Sequence, residues 1–215
     1  AVDAVTTQRR LGPVAAPGPR AIFAAMATLA GTVKRDVSSL GKWLTAGVVL
    51  ALAEPVTAFV LAIGVVGEQP GDVEDLRGRP LVGPSGQLFD RALAQLGWPR
   101  DALYISNAVR HFKYLPRGKR RMHKTPAQQE ADACLHWLES EIALVQPRIV
   151  LAMGRFAVQS LLGTSDAIGR LRGSVHHVGT TPVVVTYHPA YLLRNLPDKA
   201  RAWDDLCLVQ ALLAQ

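Results

Sequence analysis

Four short segments carry residue types that could act together. Gly67-Glu68-Gln69-Pro70-Gly71-Asp72 sets two carboxylates and an amide in a Gly- and Pro-rich turn. Asn107 follows the apolar run Leu103-Tyr104-Ile105. His123 closes Arg120-Arg121-Met122-His123, and His188 precedes Pro189 and Tyr191-Leu192-Leu193-Arg194. Carboxylates can orient a water or stabilise a developing cation, and a neutral imidazole can attack or donate a proton. A carboxamide reads a donor–acceptor edge, rejecting analogues that would leave it unpaired. Taken alone, each residue also has a plain reading. Glu68 and Asp72 suit helix N-termini, Asn107 a turn, and His123 the surface of a basic loop. His136, His176 and His177 read as structural or surface, and Cys207 as core.

The elements that must position these groups follow from periodicity. A helix is expected up to Ala53, then a buried strand over Ala58 to Val66. Ser85 is placed to cap a helix with Phe89, Ala92, Leu93 and Leu96 on one face, ended by Gly97. Leu103 to Ile105 reads as a short strand. Thr125-Pro126-Ala127-Gln128 reads as a capping box with Pro at the first helical position. That helix carries the stripe Cys134, Leu135, Leu138, Ile142 and Val145. Strands at Ile149 to Met153 and Pro182 to Tyr187 and helices at Arg155 to Leu162 and Asp198 to Leu213 complete the series. Strand and helix alternate, so the expected fold is α/β: a single three-layer α/β/α domain around a mainly parallel sheet of about four strands. In such a sheet, sites form beyond the carboxyl ends of the strands, where the four segments fall.

Composition bounds the function. The 215 residues are 49% hydrophobic and 19% charged, which excludes wholesale disorder. Lys and Arg number 24 against 17 acids, a net charge of +7. Arg110 to Lys124 alone holds seven Lys/Arg and no acid, a pattern that points to a polyanion. Two cysteines, Cys134 and Cys207, exclude a disulfide framework and a self-sufficient zinc finger. The glycine-rich segments match neither a P-loop nor the dinucleotide fingerprint. Trp43 to Gly67 is apolar, but Glu54-Pro55 interrupts it and each half is too short to span a bilayer. Nothing reads as a signal peptide, and the expected compartment is the cytoplasm. Residues 1–42 read as a poorly specified N-terminal extension, and 43–215 as the functional domain.

The segments GEQPGDVED, LVGPSG, NAVRHFK, RGKRRMHK and YHPAYLLR, in that order, resemble the uracil-DNA glycosylase superfamily. The resemblance covers about residues 65 to 213, and the first 60 residues do not match the family. GEQPGD, NAV-x-HFK and K-R-R-x-H are similar to the family X branch, whose members end covalently attached to DNA through the loop histidine. GRFAVQSLL through TYHPAYLLR and DKARAWDDL are closer to the family four branch, whose members turn over.

The resemblance implies an enzyme that flips uracil out of DNA, preferably single-stranded, and cuts its glycosidic bond. The protein would act as a monomer without a membrane. Asn107 would pair with the uracil edge and His188 donate to O2 of the departing base. Glu68 or Asp72 would stabilise the cationic sugar, and His123 would attack C1′ and trap it. Gln69 and Leu81 would line the base site, Arg120 and Arg121 would hold flanking phosphates, and Leu192, Leu193 and Arg194 would fill the gap left by the base. Ordinary turnover of the family four type and a non-catalytic DNA-binding relative are the alternatives. Relatives usually carry a [4Fe-4S] cluster on four ligands. Here only His111 and Cys134 stand at ligand positions, an incomplete remnant, so no cofactor is expected. Leu81 stands where the family usually has a Phe that stacks on uracil.

Overall fold

A computed structural model describes residues 63–215. The expected helix before Ala53, the proposed extension over 1–42 and the first part of the expected strand 58–66 lie outside the described residues. The described chain opens with β1 (Ile63–Gly67), followed by α1 (Asp72–Arg77) and α2 (Pro84–Leu96). Then come β2 (Leu103–Asn107), β3 (Tyr114–Arg117), β4 (Arg120–His123) and α3 (Gln128–Val145). The second half runs β5 (Ile149–Met153), α4 (Arg155–Leu162), α5 (Ile168–Leu171), β6 (Val175–Val178), β7 (Thr181–Thr186), α6 (Pro189–Leu192) and α7 (Asp198–Leu213).

Five strands form the sheet in the order β2-β1-β5-β7-β6. The first four are parallel, and β6 returns antiparallel on β7, giving one strand more than the sequence suggested. The three inner strands β1, β5 and β7 are near-continuous apolar runs because helices cover both faces. Side-chain alternation divides them cleanly. Val66, Val150, Ala152, Val183 and Val185 meet Cys134 and Leu138 of α3 and Phe156 of α4 on one face. Ile63, Val65, Leu151, Met153 and Val184 meet Phe89 and Leu93 of α2 and Leu206 and Val209 of α7 on the other. The three-layer α/β architecture is therefore as expected.

Two helix starts differ from the sequence reading. α2 begins at Pro84, with Gly83 as its cap residue, so Ser85 lies inside the first turn. The fixed φ of Pro84 at the first helical position sets this boundary. α3 begins at Gln128 with Ala127 before it, and the Glu130 carboxylate accepts the Ala127 N–H at 2.6 Å. The Glu130 side chain thus supplies the start that Thr125 was expected to give. On α7, Asp205, Leu206 and Val209 face inward and Cys207 is exposed rather than core. The basic stretch, expected as a loop, is mostly a separate two-stranded hairpin of β3 and β4. Among the described residues, no helix is long and apolar enough to cross a membrane.

Candidate active site

The carboxyl ends of β1 and β2 lie side by side, with Gly67 opposite Asn107 in the parallel register. The loop after β2 is tied back to the loop after β1 by Ala108 N–H to Gly67 O at 2.9 Å and Val109 N–H to Glu68 O at 2.8 Å. Asn107 is buried against Gly67. A Cβ on Gly67 would collide with Asn107 Oδ1 and stand 3.5 Å from His188 Nε2. Glycine is thus what lets a carboxamide from β2 and an imidazole from beyond β7 converge on one point. These side chains border a cavity of about 80 Å³, which Gln69, Glu74, Leu81, Ser85 and His123 also line.

His188 is held by its own backbone. Its Nδ1 accepts the Ala190 N–H at 3.2 Å as α6 begins, so the neutral ring carries its proton on Nε2, the atom nearest Gly67. Burial depresses its pKa, the nearby Glu68 charge opposes this, and His123 adds to the depression. The ring is therefore a neutral donor aimed at the cavity.

His123 has the opposite tautomer. Gln69 is oriented by the backbone: Oε1 accepts the Lys113 N–H at 3.2 Å and Nε2 donates to Lys124 O at 3.0 Å. The second amide proton meets His123 Nε2 at 2.6 Å. That nitrogen must therefore accept, which places the ring proton on Nδ1 and the lone pair of Nε2 on Gln69.

The remaining expected site residues divide. Glu68 does not line the cavity; its Oε1 accepts the Phe156 N–H at 3.3 Å at the start of α4. Gly154, at φ +95°, leaves room for that carboxylate where a Cβ would strike it. The capping reading of Glu68 is thus realised, within electrostatic reach of His188. Asp72 is exposed and pairs with Arg121, which also donates to Asp75 at 2.6 Å. The Arg121 guanidinium lies 5.2 Å from the Phe112 ring centre and 5.3 Å from that of Tyr114. Arg121 is consequently occupied in fastening the hairpin to α1, not presented as an open phosphate contact, whereas Arg120 points to solvent. Leu192, expected to fill the gap in the DNA, is only 7% exposed. It lines a separate apolar cleft of about 370 Å³ between α2, α6 and α7. Leu193, at 40%, is exposed in that segment, as are Tyr191 before it and Arg194 beside it.

Sequence reasoning missed two residues here, Glu74 and Arg100, while Leu81, expected at the base site, does line the cavity. Glu74 lines the cavity and accepts the Gly71 N–H, fixing the turn after β1. Leu81 occupies the left-handed region at φ 49°, an unfavourable conformation for a branched side chain. Arg100 holds this turn, donating to Pro80 O at 2.7 Å and Leu81 O at 2.9 Å while pairing with Asp90. The acidic first turn of α1 was a legible signal for Glu74, but nothing local announces Arg100.

A family model, the uracil DNA glycosylase superfamily, matches residues 20–207. The chain belongs to this superfamily. The match begins at residue 20 rather than near 65, so the expectation that the first 60 residues do not match the family holds only up to residue 19. A Type-4 uracil-DNA glycosylase of Thermotoga maritima is 37% identical over 138 residues, covering 63% of this chain and 68% of the relative. One of Pyrobaculum aerophilum is 34% identical over 156 residues, covering 69% and 76%. A third, of Archaeoglobus fulgidus, is 34% identical over 136 residues, covering 60% and 65%.

The iron–sulfur cluster that the superfamily resemblance implies does not fit the donors of this chain. The whole sequence has two cysteines, and residues 1–110 contain neither Cys nor His. Cys134 is packed among Ala131, Leu138 and Phe156, and His111 is exposed. Among the described residues no three His, Cys, Asp or Glu side chains gather as a metal site. No step below involves a cluster.

Proposed function

We propose that this protein is a uracil-DNA glycosylase that releases uracil from DNA by hydrolysis and turns over. The observation that carries the reading is the convergence of a buried carboxamide, Asn107, with the Nε2–H of a neutral imidazole, His188, at the ends of β1 and β2. Uracil presents an N3–H and two carbonyl oxygens, so one carboxamide can pair with N3–H and O4 while His188 donates to O2. Cytosine reverses the donor and acceptor at the first of these edges and would leave buried groups unpaired. As the N1–C1′ bond breaks, its electron pair leaves with the base and the anion spreads onto O2, where the His188 proton stabilises it. The deoxyribose becomes cationic at C1′. Water adds there and loses a proton, leaving an abasic sugar and free uracil. Asp72 is taken up by Arg121, which leaves Glu74, in the cavity wall, and Glu68, within electrostatic reach of His188, as the carboxylates that can offset this charge. Single-stranded DNA is the preferred substrate, since extruding its base needs no base pair to be broken. The Type-4 names of the relatives favour this turnover form.

A second reading has its own support. His123 borders the same cavity as a neutral ring. Were Nε2 to leave Gln69, its lone pair could bond to C1′ in place of water, with the Nδ1 proton lost to solvent, leaving a protein–sugar adduct. One experiment separates the readings. The protein is incubated with a uracil-containing oligonucleotide and run on a denaturing gel, before and after alkali. Abasic product without a retarded band supports turnover. A retarded band that His123→Ser abolishes supports trapping. The absence of both products would overturn the glycosylase assignment.

A further inference from the structure

We propose that the outward face of the β3–β4 hairpin binds the DNA strand flanking the uracil, about three nucleotides from it. This rests on the glycosylase reading. The neighbours Arg120 and Arg121 look like one basic run in sequence, but the strand divides them. In the antiparallel register Tyr114 faces His123, Leu115 faces Met122, Pro116 faces Arg121 and Arg117 faces Arg120. Opposed residues share a face and successive residues alternate. Arg121 and His123 therefore turn inward, onto Asp72, Asp75 and Gln69. Leu115, Arg117, Arg120 and Met122 turn outward.

The outward face has an unusual composition. Leu115 is 53% and Met122 45% exposed, side by side. Arg117 and Arg120 are exposed beside them, with Lys119 at the turn. Among the described residues none of these three cations makes an ion pair. Lys113, Arg110 and Arg121, from the same basic stretch, are all paired with acids. A ligand for this face must therefore offer repeated negative charge together with apolar surface. A single DNA strand offers both, phosphates for the cations and base faces for Leu115 and Met122.

The spacing sets the register. His123 borders the cavity, and Arg120 lies three residues away along β4, about 10 Å at about 3.4 Å per residue. A stacked strand advances about 3.4 Å per nucleotide, so the cations meet phosphates about three positions from the flipped one.

The test compares wild type with Arg117→Ala/Lys119→Ala/Arg120→Ala on two uracil oligonucleotides, one long and one trimmed to a single nucleotide on each side of the uracil. Binding is read by fluorescence anisotropy and excision by product release. Thermal melting checks that the variant is folded. On the long strand we expect 10- to 100-fold weaker binding, with the slope of log K against log salt reduced by about two, as three single-strand contacts would give. On the trimmed strand the difference should fall below threefold. Leu115→Ser/Met122→Ser should weaken long-strand binding without changing the salt slope. Equal losses on both strands, or none on either, would overturn the proposal. So would polyglutamate displacing the long strand as well as an equally charged oligothymidine does. A protein that binds in the expected length-dependent way yet releases no uracil would overturn the glycosylase reading and keep the contact. Excision that ignores the three cations would do the reverse.

Discussion

Asn107 and His188 divide the work at the base, and each can be probed alone. Asn107→Ala removes the recognising amide and leaves the uracil edge unpaired in a buried site. We expect kcat/KM for excision to fall about 100-fold, the equivalent of about 2.7 kcal/mol in transition-state binding. His188 makes a pH prediction whose sign follows from its environment. Burial holds its folded-state pKa below the usual 6.5. Protonation is then easier in the unfolded chain, so stability is lost as pH falls from 6.5 through the depressed folded value. Urea denaturation should show this decline in wild type and a flatter profile in His188→Asn. The Gln69–His123 pair predicts a spectroscopic result. Gln69 donates to His123 Nε2 and so fixes one tautomer. Nitrogen-15 spectra of wild type should show the Nδ1–H form alone, whereas Gln69→Ala should show a mixture.

At the level of elements, the cavity wall depends on a turn that its own residue disfavours. Leu81 is held at positive φ, at a cost of about 1 kcal/mol or more. The two Arg100 hydrogen bonds to its carbonyl and that of Pro80 oppose that cost. Arg100→Leu should lower stability by about 1–2 kcal/mol. It should also raise KM for uracil-containing DNA more than it lowers kcat, since it loosens a wall and not a reacting group. Steady-state kinetics beside a thermal melt would check both. Such a long-range clamp has no local signature, which is why the sequence is silent about it. The valine run of β7 and the glycine after α2 were legible because burial on two faces and a left-handed helix end each impose a residue type. The hairpin was not. Pro116 and the alternation of Arg with Leu and Met erase the apolar period of a strand, because neither strand contributes to a core. The cavity's carboxamide and both imidazoles were expected from residue type and position at strand ends together with the family resemblance, which carried His123 above its plain surface reading. The partners of Asp72 and Arg121 were not, since a pairing across 49 residues leaves no trace in spacing.

Across the whole molecule, the site depends on how β7 is anchored from the face opposite α3. Asp205 of α7 is fully buried, accepting from Thr186 Oγ at 2.8 Å and from Arg172 Nε and Nη2 at 3.1 and 2.9 Å. Thr186 is the last residue of β7 and its carbonyl accepts the Gly154 N–H at 3.1 Å, so one network ties the ends of β5 and β7 to α7. His188 follows two residues later. Removing the carboxylate leaves a mostly buried guanidinium and a buried hydroxyl without their acceptor. Asp205→Ala should therefore cost about 3 kcal/mol, at the lower end for broken buried pairs because Arg172 keeps some access to water. For a domain of this size that is a melting temperature lower by about 6–12 °C. The effect on function should be selective. The hairpin is fastened to α1 after β1, by Arg121 and not through β7, so DNA affinity should change less than twofold. The donor His188 loses its fixed base, so single-turnover excision measured well below the melting temperature should slow about tenfold. A loss of affinity equal to the loss of rate would show that the two ends of the site are not mechanically separate, and that Asp205 supports the fold as a whole rather than the strand that carries the donor.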